Sequence, residues 1–389
     1  MDDNCVDEDE IEQDLSDVEE VFIEEEDDDD DDDFQTGAEY EAIPIEDDSK
    51  VIFSSHSASV FCCDIDKYGL HSVTGGEDDK AYVWDIKTGD VVMECAGHTD
   101  SIVFVKFNFD STLLATGDMS GKIKIWKSEN RSEILSLETA DLKWMQWHHS
   151  ANVLFAGAAD GFMWMWKIPS GECKSFFGPG RACETGVILA DGLYNCSTAV
   201  CGYEDGTLKF WNLRTGQVLH SISDLNSHRD SVICLDCDTT VTVATGSNDG
   251  TSKLISSKSG KVLTTLECST SEANNSVESV AFCPNHPLLA TGTVSGHLGI
   301  WDLTKQVNRY NKRLEDGITK VMWDKNQACG SLLYTAGLDG IVRLWDARTG
   351  ENEMEWKGHT ESILDMVLFN DSILTTSDDQ TARVFSVQR

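Results

Sequence analysis

The stretch Leu338-Asp-Gly-Ile-Val-Arg-Leu-Trp-Asp-Ala-Arg-Thr-Gly350 compresses a turn, a strand and a second turn into thirteen residues. Asp339-Gly340 supplies the tight turn, with a short polar side chain beside a residue that accepts positive φ. Ile341 to Trp345 then alternates apolar and polar residues with period two, the pattern of a strand with two different faces. Working outward, strands that end on Trp or a bulky stand-in recur at Trp84, Trp126, Trp166, Trp211, Ile255, Trp301, Trp345 and Phe385, with gaps of 42, 40, 45, 44, 46, 44 and 40 residues. A period of about 40–45 residues is that of four-stranded blades arranged around an axis. The fold class is therefore all-β, an eight-bladed WD-repeat β-propeller preceded by an acidic N-terminal arm.

Two further sets of residues keep the same register. Six positions before each terminal residue stands Asp78, Ser120, Asp160, Asp205, Asp249, Ser295, Asp339 or Asp379, and Gly follows in six of the eight. Five positions after it, Gly recurs at Gly89, Gly171, Gly216, Gly260 and Gly350, so the repeat at Ile255 is a full blade that has lost its Trp. The last unit has no sequence left for an outer strand, because only four residues follow Phe385. Val51-Ile-Phe-Ser54 belongs to no blade ahead of it and is expected to pair with the last unit, which removes two open strand edges. Residues 50–389 then give 340 residues, or 42.5 per blade.

Charge divides the chain in two. The net charge is −39, yet residues 1–49 hold 26 of the 69 acids and none of the 30 bases, which leaves 43 acids against 30 bases, or −13, for the remainder. Glu24 to Asp33 is an unbroken run of ten carboxylates; such a segment repels itself, and residues 1–49 are read as a disordered acidic arm. Ser16, in Leu-Ser-Asp-Val-Glu19, has the surroundings of an acidophilic kinase site. An acidic propeller argues against direct nucleic-acid binding and against anionic membranes, and for a basic protein or peptide as partner. Solubility alone is the competing account of the arm.

Thirteen cysteines, an odd number without small-domain spacing, and the lack of an apolar leader or spanning run point to a reducing cytoplasmic or nuclear compartment. Cys234-Leu-Asp-Cys237 has zinc-like spacing, but residues three apart on a strand face opposite ways. No metal, cofactor or enzymatic activity is expected. A closed ring leaves no obligatory interface, so the chain is read as a monomer.

His56, Thr74, Asp78 and Trp84 are spaced for a hydrogen-bonded chain that ties one blade's loops together. A His with an Asp and a hydroxyl also suggests a catalytic triad. The set recurs with His98, His228 and His359, however, and a nucleophile with its base would be expected once. Repeat two keeps His98, Thr116 and Trp126 but has Ser120 at the turn position. The loops that share the top of the ring carry the candidate binding residues. Those entering each blade offer Asp100, Asp141, Glu184, Asp230, Glu278, Asp316 and Glu361, and the turns between the second and third strands offer Glu77, Glu204 and Asp378. Such a rim would attract a Lys/Arg-rich segment at long range, with Phe61, Trp144 and Trp164 as candidate apolar anchors. Ordinary loop polarity and ordinary core packing are the plainer readings of these two groups.

Through Thr74-Gly-Gly-Glu-Asp-Asp-Lys80, Ala115-Thr-Gly-Asp-Met-Ser-Gly121, Gly202-Tyr-Glu-Asp-Gly206, Trp144-Met-Gln-Trp147 and Trp164-Met-Trp166, the chain resembles the angio-associated migratory cell protein family of WD-repeat proteins. The resemblance covers residues 50–389. It implies, from the fungal relatives, a dedicated chaperone that captures a basic segment of a large-subunit ribosomal protein on an acidic face. From the vertebrate members it implies a scaffold in cell migration and angiogenesis, in the cytoplasm and at the cell periphery. A heparin-binding stretch attributed to those members is not carried over, because residues 1–49 contain no base.

Overall fold

The structure, a computed structural model, describes residues 46–189, 197–239, 242–268, 275–325 and 331–387. The acidic run Glu24 to Asp33, Ser16 and most of the arm lie outside the described residues. Among those described there are eight four-stranded antiparallel sheets. Seven are consecutive in sequence and span residues 60–95, 102–138, 142–177, 185–222, 232–267, 277–313 and 318–356. The eighth combines three strands within 363–386 with Val51–Phe53, which pairs antiparallel with Ala382–Ser386 through Val51↔Val384, Ile52↔Arg383 and Phe53↔Ala382. Strands are called a to d from the innermost to the outermost, so Val51–Phe53 is strand d of blade eight.

No blade has a core of its own. Each of the eight apolar clusters joins two neighbours. Leu113, Ile123 and Ile125 of blade two meet Leu142, Met145 and Trp166 of blade three, for example. At the closure, Phe53 is 1 % exposed and stacks on Trp84 of blade one at 4.7 Å and 5°. Ile255 and Phe385 fill the cores where the other repeats have Trp, both fully buried. The turn glycines take positive φ, and where blades one and eight lack glycine after the turn Asp, Asp79 and Gln380 adopt φ of 60° and 66°.

Residues 46–49, the end of the acidic stretch, are tied to the ring. The Asp48 N–H donates to the Lys357 carbonyl and the Lys357 N–H donates to the Asp48 carboxylate, each at 2.9 Å, and Asp47 pairs with Arg383.

The register of strand a is broken at one place in seven blades: the second residue is bulged, between Val60 and Cys62, Ile102 and Phe104, and the equivalent pairs elsewhere. A bulge re-aims the extra side chain and increases local twist. With Gly186 at the same place in blade four, the ring of second positions reads Phe61, Val103, Lys143, Gly186, Ile233, Glu278, Thr319 and Leu364, all half-buried. Cys234 and Cys237 share strand Val232–Cys237, and Cys234 donates to the Val277 carbonyl at 3.2 Å. No group of three or more potential metal ligands occurs among the described residues.

Candidate partner-binding face

Four blades carry the loop-binding hydrogen-bond chain. In blade one His56 Nδ1 lies 3.0 Å from Asp78, His56 Nε2 lies 2.9 Å from Thr74 Oγ1, and the Trp84 indole N–H donates to Thr74 at 3.3 Å. Blade two corrects the reading of Ser120. Asp118, two residues earlier and fully buried, accepts from His98 at 2.9 Å, and Ser120 donates to it at 2.8 Å. In blades five and eight, His228 and His359 join Asp249 and Asp379 at 3.0 and 2.8 Å. Without an indole, Thr245 receives the Lys253 backbone N–H at 3.2 Å instead. Burial works to raise the Asp249 and Asp379 carboxyls. The His, Thr and backbone donors overrule it and hold both well below the ordinary carboxylate range. Burial lowers His98 and His359 despite the facing carboxylates. The imidazoles are thereby engaged in fixing loops.

Those loops carry the face. In every blade a backbone hydrogen bond links the b–c turn to the loop entering strand a: Glu77 N–H to Ser59 O at 2.8 Å, Glu204 to Ala182 at 3.0 Å and Asp378 to Ser362 at 3.1 Å, with counterparts from Met119, Ala159, Asn248, Val294 and Leu338. Both sets of acids therefore lie at one end of the ring. Within the entering loops they occupy three registers rather than one. Asp100, Asp230, Asp316 and Glu361 stand two residues before strand a, Asp141 and Glu184 one residue before it, and Glu278 is the bulged second residue of strand Val277–Phe282. Glu77, Asp141, Glu204, Asp230, Asp316 and Glu361 are exposed, whereas Asp100, Glu184, Glu278 and Asp378 are half-buried.

One candidate is neutralised: Lys143 of blade three reaches Glu184 of blade four at 3.5 Å. Among the described residues the other nine make no ion pair. The sequence reading missed Lys143, which its place as second residue of strand a could have revealed. Arg181 and Arg229 are also exposed on the loops of blades four and five, and Lys80 on the turn of blade one, so the acidic character is weakest at blades four and five.

Of the three apolar candidates, Trp144 is core. It is 6 % exposed, its indole N–H meets Cys183 Sγ at 3.3 Å, and its ring occupies the space that a Cβ on Gly157 or Gly186 would need. Trp164 is half-buried on strand c of blade three, stacked on Trp166 at 6.0 Å and packed against the core between blades two and three. Phe61 belongs to no core cluster and sits at a bulge of the mouth. Below the mouth the channel becomes polar. Lys106 pairs with Asp64 at 3.5 Å and Lys320 with Asp365 at 2.9 Å, while Asp365 also accepts the Cys63 N–H at 3.2 Å. Toward blades three to eight the channel opens into a cavity of about 660 Å³ lined by Lys143, Ile233, Glu278, Thr319 and Leu364, among others.

This architecture has close counterparts. Over 358 residues the chain is 44 % identical to human angio-associated migratory cell protein, covering 88 % of this chain and 81 % of that one. The chain belongs to the angio-associated migratory cell protein family. The description "WD domain, G-beta repeat" matches residues 48–85 and 89–127, the two blades in which His, Thr, Asp and Trp are all present. "Nucleolar protein 10-like, N-terminal domain" matches residues 175–387. Beyond the family's own members, ribosome assembly protein SQT1 of Saccharomyces cerevisiae is 26 % identical over 393 residues, with 89 % of this chain and 88 % of that one covered. Its crystal structure superposes with a TM-score of 0.80 over 89 % of this chain and all of that one at 23 % identity, a likeness of fold. Chaetomium thermophilum Sqt1, bound to the N-terminus of the ribosomal protein L10, superposes with a TM-score of 0.79 at 26 % identity over 88 % of this chain and all of that one.

Proposed function

We propose that this chain is a non-catalytic, monomeric and cytoplasmic carrier that holds a basic segment of a client protein on its acidic top face, and that the client is a large-subunit ribosomal protein captured during ribosome assembly. The observation that carries the reading is the ring of nine carboxylates at one end of the propeller without ion-pair partners among the described residues. Unpaired, loop-fixed carboxylates retain their field for an incoming Arg- or Lys-rich segment and can accept charge-assisted bonds from it. The ribosomal identity of the client is supported by the yeast relative's being a ribosome assembly protein and by the bound state of the Chaetomium one. Buried cysteines such as Cys95 and Cys268, whose thiols burial pushes up to about 12, support a reducing compartment.

The second reading, a scaffold in cell migration and angiogenesis signalling, rests on the 44 % identity to the human protein of that name. The two separate in one experiment. Partners are captured from cytosol on the full chain and on a Glu77→Lys, Glu204→Lys, Asp378→Lys variant, then eluted with rising salt. A single basic ribosomal protein, released at high salt and lost in the variant, is the expected result. Many partners indifferent to salt and to the three substitutions would transfer the function to the scaffold.

A further inference from the structure

We propose that the mouth of the channel over blades eight, one and two is a seat for one bulky apolar side chain, so that the client segment is basic with an apolar residue at its centre. This rests on the acidic-face reading and specifies its ligand. Leu364, Phe61 and Val103 occupy the same bulged position on three consecutive blades. All three are half-buried, and none belongs to, or packs against, any of the eight apolar clusters that hold the blades together. Elsewhere in the ring of second positions the residues are charged, small or polar on at least one side of every apolar one.

Glu361, Asp378 and Glu77 stand on the loops directly above this arc, and among the described residues none of them makes an ion pair. Charge on the rim and apolar area at the mouth therefore coincide on blades eight and one, which suits a ligand carrying both. Exposed carboxylates alone would give a loose, salt-sensitive complex. Burying one Leu-sized side chain adds roughly tenfold or more to affinity.

The test uses two fluorescent peptides of alternating arginine and glycine, one with serine and one with leucine at the centre, titrated by anisotropy against the full chain. The leucine peptide is expected to bind roughly tenfold tighter. That gain is expected to vanish in a Phe61→Ser, Leu364→Ser variant, to persist in Ile233→Ser, and to leave the serine peptide's affinity unchanged. Should the double variant melt early, Val103→Ser alone supplies the milder change and must reduce the gain. Equal affinity of the two peptides, or a gain that survives these variants, overturns the seat and leaves the acidic face standing. Failure of either peptide to bind takes down the acidic-face reading and the seat with it.

Discussion

At His98 and His359 the ring nitrogens are spent on Thr and Asp inside the blade, and burial keeps both below their ordinary range. An unfolded chain would bind protons at these positions below about pH 6.5, whereas the folded one resists. Their contribution to stability is thus present above that pH and declines as pH falls through it. Asp249 and Asp379, also held low, add a second loss below about pH 3.8. Denaturant midpoints measured from neutral pH downward should therefore fall in two stages, and a flat profile between about pH 7 and 5.5 would contradict the His assignment. Blade two offers a sharper test. Asp118→Ala removes the partner of a buried imidazole and should cost about 1–3 kcal/mol, while Ser120→Ala should cost about 1 kcal/mol or less. Aligned repeats favour Ser120 as the turn residue, and they conceal that a carboxylate two positions earlier reaches the same imidazole. Side-chain reach, rather than position in the repeat, decides which residue completes the set.

Among the elements, strand a is the one whose behaviour was least visible in sequence. Nothing in the repeat marks the bulge at its second residue, which in seven blades sets one side chain apart from the regular ladder. Bulges arise from how the strand fits its neighbour, which a single strand's pattern does not encode. Gly157 and Gly186 show the same dependence on a neighbour. Each leaves room for the Trp144 ring, so Gly157→Ala or Gly186→Ala should force the indole to move and cost about 1–3 kcal/mol, read as a lowered thermal midpoint. The outer strand of blade eight was legible, because Val51 to Ser54 had no other blade to join. Phe53→Ala, which empties the stack on Trp84, should cost about 3–5 kcal/mol. Deleting residues 1–45 is expected to leave the melting temperature of the ring unchanged, and deleting residues 1–54 to lower it sharply.

For the whole molecule, the eightfold count followed from a period that survives the loss of Trp at Ile255 and Phe385, because turns and strands repeat even where the signature residue does not. The binding face was only partly legible. The end of the ring that carries the acids follows from connectivity, but Lys143 cancels Glu184 across a blade boundary, and such pairing depends on the spatial neighbour. The seam at Val51↔Val384 joins residues from opposite ends of the chain. During synthesis at about 5–20 residues per second, the first strand must wait roughly 15–65 s before its partner has been made. Phe53 and the apolar side of blade one stay uncovered through that interval. Premature termination anywhere before the final strand would leave the same surface open permanently, so shortened products of this chain should be recognised as unfinished and degraded, even when seven blades have formed.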